Sequence, residues 1–160
     1  MRLSAFGITT DLPAGWEGRI TKRVTPGQHG VARSRGTPGE VPNPVVHLAN
    51  FALPEQRGDF GSGAVELMGA GHLFITLFEY GPESVGQALF AARGIPTLRA
   101  SMFNPAALQR AVAGQAGCQR WFTAASRAFC AYVVLGRHTE APALVPHANV
   151  VLRATRISPR

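Results

Sequence analysis

Cysteine is scarce in this chain, and the little there is stands in no pattern. The two residues, Cys118 and Cys130, form no C-x-x-C and have no histidine cluster beside them, which argues against a zinc finger and a redox-active pair. The histidines His29, His47, His72, His138 and His147 are equally dispersed, and no H-x-x-x-H or His/Glu spacing points to a metal. No apolar run approaches the ~20 residues that a transmembrane helix needs. Residues 1–10 carry an early arginine but neither a long apolar stretch nor a small-residue cleavage site, so a signal peptide is not expected. The expected compartment is the cytoplasm, where both cysteines are expected as buried thiols.

Negative charge is the second shortage. Nine Asp and Glu face 16 Lys and Arg, for a net charge of +7 and an isoelectric point near 11.0, and Lys22 is the one lysine. The carboxylates form no tight pair in sequence, so nothing recommends an acid–base couple. The excess arginine suits planar pairing with carboxylates and phosphates, although G+C-rich coding would raise the same count. Such a field attracts an acidic protein or a nucleic acid without choosing between them.

What is present suffices for one domain over residues 1–160, with 46% hydrophobic residues to build a core. Leu3 to Thr10 reads as a strand, followed by a turn at Asp11 to Trp16. Gly18 to Val24 reads as a second strand, with Arg19, Thr21 and Arg23 on one face and Ile20 and Val24 on the other. A Gly/Pro-rich basic loop follows at about 25–44 and carries Arg33 and Arg35. Val45–Leu53 and His72–Tyr80 are apolar on both faces, as strands with layers on either side would be. A single helical turn is expected at Gly63–Met68. A helix is expected from Pro82 to about Arg93, weakened by Gly86. A second runs from Asn104 to Gly114, with Asn104 as N-cap and Pro105 in first position. Gln119–Ala124 and Arg127–Leu135 form a hairpin around Ala125-Ser126, and a helix from about Pro142 to Thr155 closes the chain. This order predicts an α+β fold: an antiparallel sheet of about five to six strands flanked by helices, an α/β/α sandwich.

Three stretches carry a resemblance: the turn Leu12-Pro13-Ala14-Gly15-Trp16, the hydrophobic strand Ala128–Leu135 late in the chain, and the closing helix followed by Ile157-Ser158. In these the chain resembles the PsbP-like fold of the photosystem PsbP proteins and the Ran-binding Mog proteins. Runs at Gly114–Phe122 and Arg127–Gly136 are also similar to small uncharacterised proteins of G+C-rich Gram-positive bacteria. The PsbP-like resemblance implies an accessory or adaptor protein that binds other proteins or assists an assembly. It transfers no catalytic residues and no cofactor. Many bacterial relatives are exported lipoproteins, whereas this sequence shows no lipobox cysteine.

The candidate sites are few. Gly61-Ser62-Gly63 could turn backbone N–H groups toward an anion, with a plain turn and helix cap as the competing reading. It lacks a P-loop lysine and dinucleotide-type glycine spacing, and Phe60 stands where a G-x-S-x-G elbow needs its first glycine. His47 alternates with Val45 and Ala49 and reads as a hydrogen-bonded core or edge residue. Glu79 continues the face of Leu73, Ile75 and Leu77; it either emerges at the strand's wet end or neutralises an arginine. Cys130 and His138 lie too far apart along one strand to act as nucleophile and base. Trp16, Phe51, Trp121 and Phe122 read as core, or as the lining of an apolar groove.

The strongest feature outside the core is the basic group Arg19, Lys22, Arg23, Arg33 and Arg35. The expected function is therefore a non-enzymatic accessory or adaptor protein that binds an acidic protein surface through this region. Electrostatic binding of nucleic acid there is the alternative, though no interleaved aromatics or known motif accompany it. The oligomeric state is open, a homodimer included.

Overall fold

A computed structural model of the chain describes residues 1–23 and 43–160. The N-terminal stretch is a hairpin: β1 (Arg2–Ala5) pairs antiparallel with β2 (Ile8–Asp11). The two bend at Phe6-Gly7, with φ of 52° and 73°, a mirror-image turn whose twist matches the flanking strands. The larger sheet has five strands in the order β3-β4-β5-β7-β6. These are β3 (Glu17–Lys22), β4 (Pro44–Ala49), β5 (Leu73–Glu79), β6 (Ala116–Ala124) and β7 (Arg127–Leu135), all antiparallel. Ala125 and Ser126 make the β6–β7 turn at φ of 50° and 58°. Helix α1 (Ala141–Arg153) then leads into β8 (Thr155–Ile157), which pairs with β2 and completes a three-stranded sheet.

The class is α+β, and the sheet's two faces are covered differently. On one face α1 and the small sheet pack Leu144, Val145, Val151, Leu152, Ile8 and Leu12 onto Val46, Ile75, Leu77 and Val133. Gly18 belongs to this face because a Cβ there would lie 2.5, 2.8 and 2.9 Å from methyl carbons of Leu3, Leu12 and Leu48. Its missing side chain lets the small sheet approach the large one. The opposite face carries Val45, Phe74, Phe78, Cys130, Tyr132 and Val134, covered by Leu53, Phe60, Val65, Met68 and Leu108 from irregular chain. Among the described residues no helix lies over that face beyond the short turns Val65–Leu67 and Pro105–Ala107, so the expected two-sided helical sandwich is replaced by helix and sheet on one side and loop on the other.

The two expected middle helices reduce to single 3₁₀ turns, at Pro82–Ser84, Ala88–Phe90 and Pro105–Ala107. Gly86 sits at φ 90° and interrupts the first. Sheet pairing draws the chain out at the same time. Thr123 N–H donates to Ala92 O at 2.8 Å, Gly94 N–H to Thr123 O at 2.9 Å, and Asn104 and Gly117 exchange two backbone bonds at 2.9 and 3.1 Å. Asn104 does cap its turn, accepting from Ala106 N–H at 2.8 Å. The helix stops there because the sheet, through the Tyr132 hydroxyl 2.9 Å from Gln109 N, takes the next free amide. Burial of backbone groups against an edge strand satisfies them as fully as a helix would.

Candidate binding surface

Register places three polar side chains in one row. Arg19 stands opposite His47, and His47 opposite Thr76, so all three project to the loop-covered face. There they meet the segment 54–59. The Asp59 carbonyl accepts from His47 Nε2 at 2.8 Å and from Thr76 Oγ1 at 3.0 Å. Arg57 Nε donates to His47 Nδ1 at 2.8 Å, and its Nη1 to Pro54 O at 2.6 Å. Since an arginine can only donate, Nδ1 is the acceptor and the imidazole proton sits on Nε2. Burial holds the His47 pKa down at about 4, from 6.5, with the Arg57 charge pushing the same way and the Asp59 carbonyl opposing. Burial also lowers the Arg57 guanidinium, helped by the nearby Arg19 charge. Both ring nitrogens of His47 are committed, and it works as a strut rather than a base.

Beside this strut lies an open depression of about 400 Å³, bordered by Thr21, Lys22, His47, Glu55, Arg57 and Asp59. Arg23 lies over the Phe78 ring, 4.2 Å from its centroid, with Nε 3.5 Å from the Asp59 carboxylate. Lys22 alternates to the other face and hangs its Nζ 5.5 Å above the Phe6 ring. Arg19 donates to its neighbour's carbonyl, Gly18 O, at 2.8 Å. Of the basic residues expected to act together, β3 and its end therefore bring Arg19, Lys22 and Arg23 to one sheet border, divided between two faces. Arg33 and Arg35, with the loop at 25–42 that carries them, lie outside the described residues. Arg57 and Asp59 join the border from a polar, turn-rich stretch in which no sequence pattern marked them, because only the fold returns that stretch onto His47.

The glycine–serine turn is closed on itself. Gly61 and Gly63 both sit at φ 88°. Gly61 N–H donates to Gly58 O at 2.9 Å, Ala64 and Val65 N–H both to Gly61 O at 2.9 Å, and Gly63 N–H to the Glu66 carboxylate at 2.7 Å. A carboxylate of the chain itself thus occupies the place at Gly63 where an external anion would sit, and the Ser62 carbonyl accepts from Gly58 N–H at 2.9 Å.

Other titratable groups are engaged elsewhere. Glu79 is 3% exposed and accepts from Arg127 Nε and Nη2 at 2.9 and 2.7 Å and from Arg160 Nη2 at 2.9 Å. Of the two readings open for Glu79, the fold therefore selects the paired one. Arg127 also donates to Ser158 O at 3.0 Å, tying the C-terminal segment to the sheet. Cys118 and Cys130 are buried in separate clusters on opposite faces, so no disulfide can join them. Burial raises both thiols, Cys130 to about 12. Phe122 is a core residue, as expected, whereas Trp16, Phe51 and Trp121 are half-buried and pack against the two clusters. Among the described residues no group of three metal-ligating side chains occurs, and no helix is long and apolar enough to cross a membrane.

Compared with models of protein families, with curated proteins and with solved structures, the chain matches none.

Proposed function

We propose that this chain is a cytoplasmic accessory or adaptor protein without catalytic activity, and that it binds another protein through the basic border of its five-stranded sheet. The observation that carries this reading is the β3 border. Arg19 and Lys22 are exposed there, and neither has a carboxylate partner among the described residues, whose ion pairs lie elsewhere. They stand beside an open polar depression whose imidazole is already committed on both nitrogens. The PsbP-like resemblance of the Leu12–Trp16 turn and of the late strand points the same way, since that family consists of accessory and assembly proteins.

A protein surface suits this border better than a nucleic acid does. Base stacking needs an open aromatic face; among the described residues no Phe, Tyr or Trp lines the depression, and Phe78 is buried with Arg23 over its ring. The reading is tested by placing a photo-crosslinking residue at position 21 of the full chain in its native host. A specific protein adduct is expected, lost in the double variant Arg19→Glu, Lys22→Glu. Adducts to nucleic acid, or an adduct pattern indifferent to that charge reversal, would overturn it.

A further inference from the structure

The two edges of the large sheet are finished differently, and the difference specifies a mode of binding. The outer edge of β6 is taken up at both ends by the chain's own backbone, at Ala92–Gly94 and at Asn104. The outer edge of β3 pairs with no strand among the described residues. The ladder pattern tells which of its groups face outward. Arg23 N–H donates inward to Asn43 O at 3.2 Å, and bonded pairs alternate along an antiparallel ladder. Thr21, Arg19 and Glu17 therefore point their backbone groups inward to β4, while Gly18, Ile20 and Lys22 point theirs outward. Consistently, it is the Gly18 carbonyl that the Arg19 guanidinium reaches. The Ile20 and Lys22 amides and carbonyls stand as a template for an added strand.

We infer that β3 accepts an extended acidic peptide of the partner protein, added antiparallel to the sheet edge; this rests on the proposed function above and names the partner's chemistry. Side chains directly across a ladder share a face, so β3 dictates the incoming sequence. Opposite Lys22 a carboxylate fits on the helix-covered face, and opposite Arg19 a second carboxylate fits on the face of the depression. Opposite the half-buried Ile20 an apolar residue extends the core, and opposite Thr21 a short β-former fits. Read along the peptide from Lys22 to Arg19, this is Glu-Thr-Val-Glu. Of the acids at the border, Asp59 faces Arg23, and Glu17 is turned to the Leu53 N–H at 3.0 Å, a bond that holds the carboxylate in place without cancelling its charge. Only Glu55 borders the depression with no ion pair or side-chain hydrogen bond of its own among the described contacts. A second copy of the chain is the poorer occupant, because β3 against β3 sets arginine and lysine of like sign along one seam.

The test uses the full isotope-labelled chain and a capped ten-residue peptide with Glu-Thr-Val-Glu at its centre. Two further peptides serve as controls: one N-methylated at the valine, which removes the amide facing Ile20, and one with both glutamates changed to lysine. Binding is expected to shift the Ile20 and Lys22 amide resonances and slow their exchange. N-methylation, the lysine exchange and the protein variant Arg19→Glu, Lys22→Glu are each expected to weaken affinity about tenfold or more. Equal binding of the N-methylated and parent peptides would overturn the inference, as would Ile20 and Lys22 amides already protected in the free chain. A crosslinked partner that depends on Arg19 and Lys22, yet is not displaced by the parent peptide, would also overturn it and leave the broader function standing.

Discussion

On one face of the large sheet Glu79 is buried as half of an ion pair gripped by Arg127, whereas on the other His47 is buried neutral between Arg57 and the Asp59 carbonyl. Both clusters do the same mechanical work. The first ties the C-terminal segment to β5 and β7, and the second ties the loop 54–59 to β4 and β5. The chemistry differs with the cover. Under the dry, helix-and-sheet face a charge must be met by an opposite charge with full hydrogen bonding. Beside the open depression, a group that can shed its proton is the cheaper strut. The pair lesson is that one sheet holds one covering layer by charge and the other by neutrality, so acid should loosen them unequally.

The strongest way to break the comparison is Arg127→Met. It leaves the buried Glu79 with Arg160 alone and is expected to cost about 3–5 kcal/mol in urea unfolding, with much of the loss recovered in the double variant Glu79→Leu, Arg127→Met. A single-variant cost below about 1 kcal/mol would mean that the pair contributes little.

The next effect is pH dependence. His47 has its folded pKa depressed to about 4 against 6.5 in the unfolded chain, so the unfolded state binds the proton more readily. Its contribution is fully present above pH 6.5 and is lost as pH falls toward 4, up to about 3 kcal/mol. In His47→Leu this part of the pH slope is expected to vanish, while stability at pH 7 falls by about 1–3 kcal/mol because the Arg57 donor and the Asp59 acceptor lose their partner. The difference in unfolding midpoints between the two proteins, measured at pH 7 and pH 5, checks both statements.

Asp59→Ala sharpens the same point at smaller scale. The strut uses the Asp59 backbone carbonyl, so only the partly exposed contact to Arg23 is lost, and the expected cost is below about 1 kcal/mol. A larger loss would show that the carboxylate, not the carbonyl, organises the border. Smallest of all, Arg19→Ser and Lys22→Ser are each expected to change stability by no more than about 0.5 kcal/mol. These residues then belong to binding and not to folding.

Much of the fold was legible. The apolar runs at Val45–Leu53 and His72–Tyr80, the hairpin at Ala125-Ser126 and the closing helix were readable because periodicity and burial agree within each segment. The stretches at 82–93 and 104–114 carry sound local helix signals, yet they form only 3₁₀ turns. Asn104 does cap and Pro105 does lead, but the edge of β6 competed for the same backbone groups. Leu3 to Thr10 is two strands and not the single one expected, because the tight bend at Phe6-Gly7 leaves little mark on the alternation. Of the candidate site, the facing of Arg19, Thr21 and Arg23 followed from period two alone. Arg57 and Asp59 did not, since nothing local ties residue 57 to residue 47.

What the sequence by itself determined is the class of the fold, the buried state of the cysteines and the basic character of β3, because these depend on composition and on spacing within single segments. Only the tertiary structure decided that Glu79 is paired, that His47 is neutral and that, among the described residues, β3 rather than β6 has an unpaired outer edge. Each of those depends on what a distant part of the chain does with its backbone carbonyls and amides, and hydrogen bonding across tens of residues leaves no period to read.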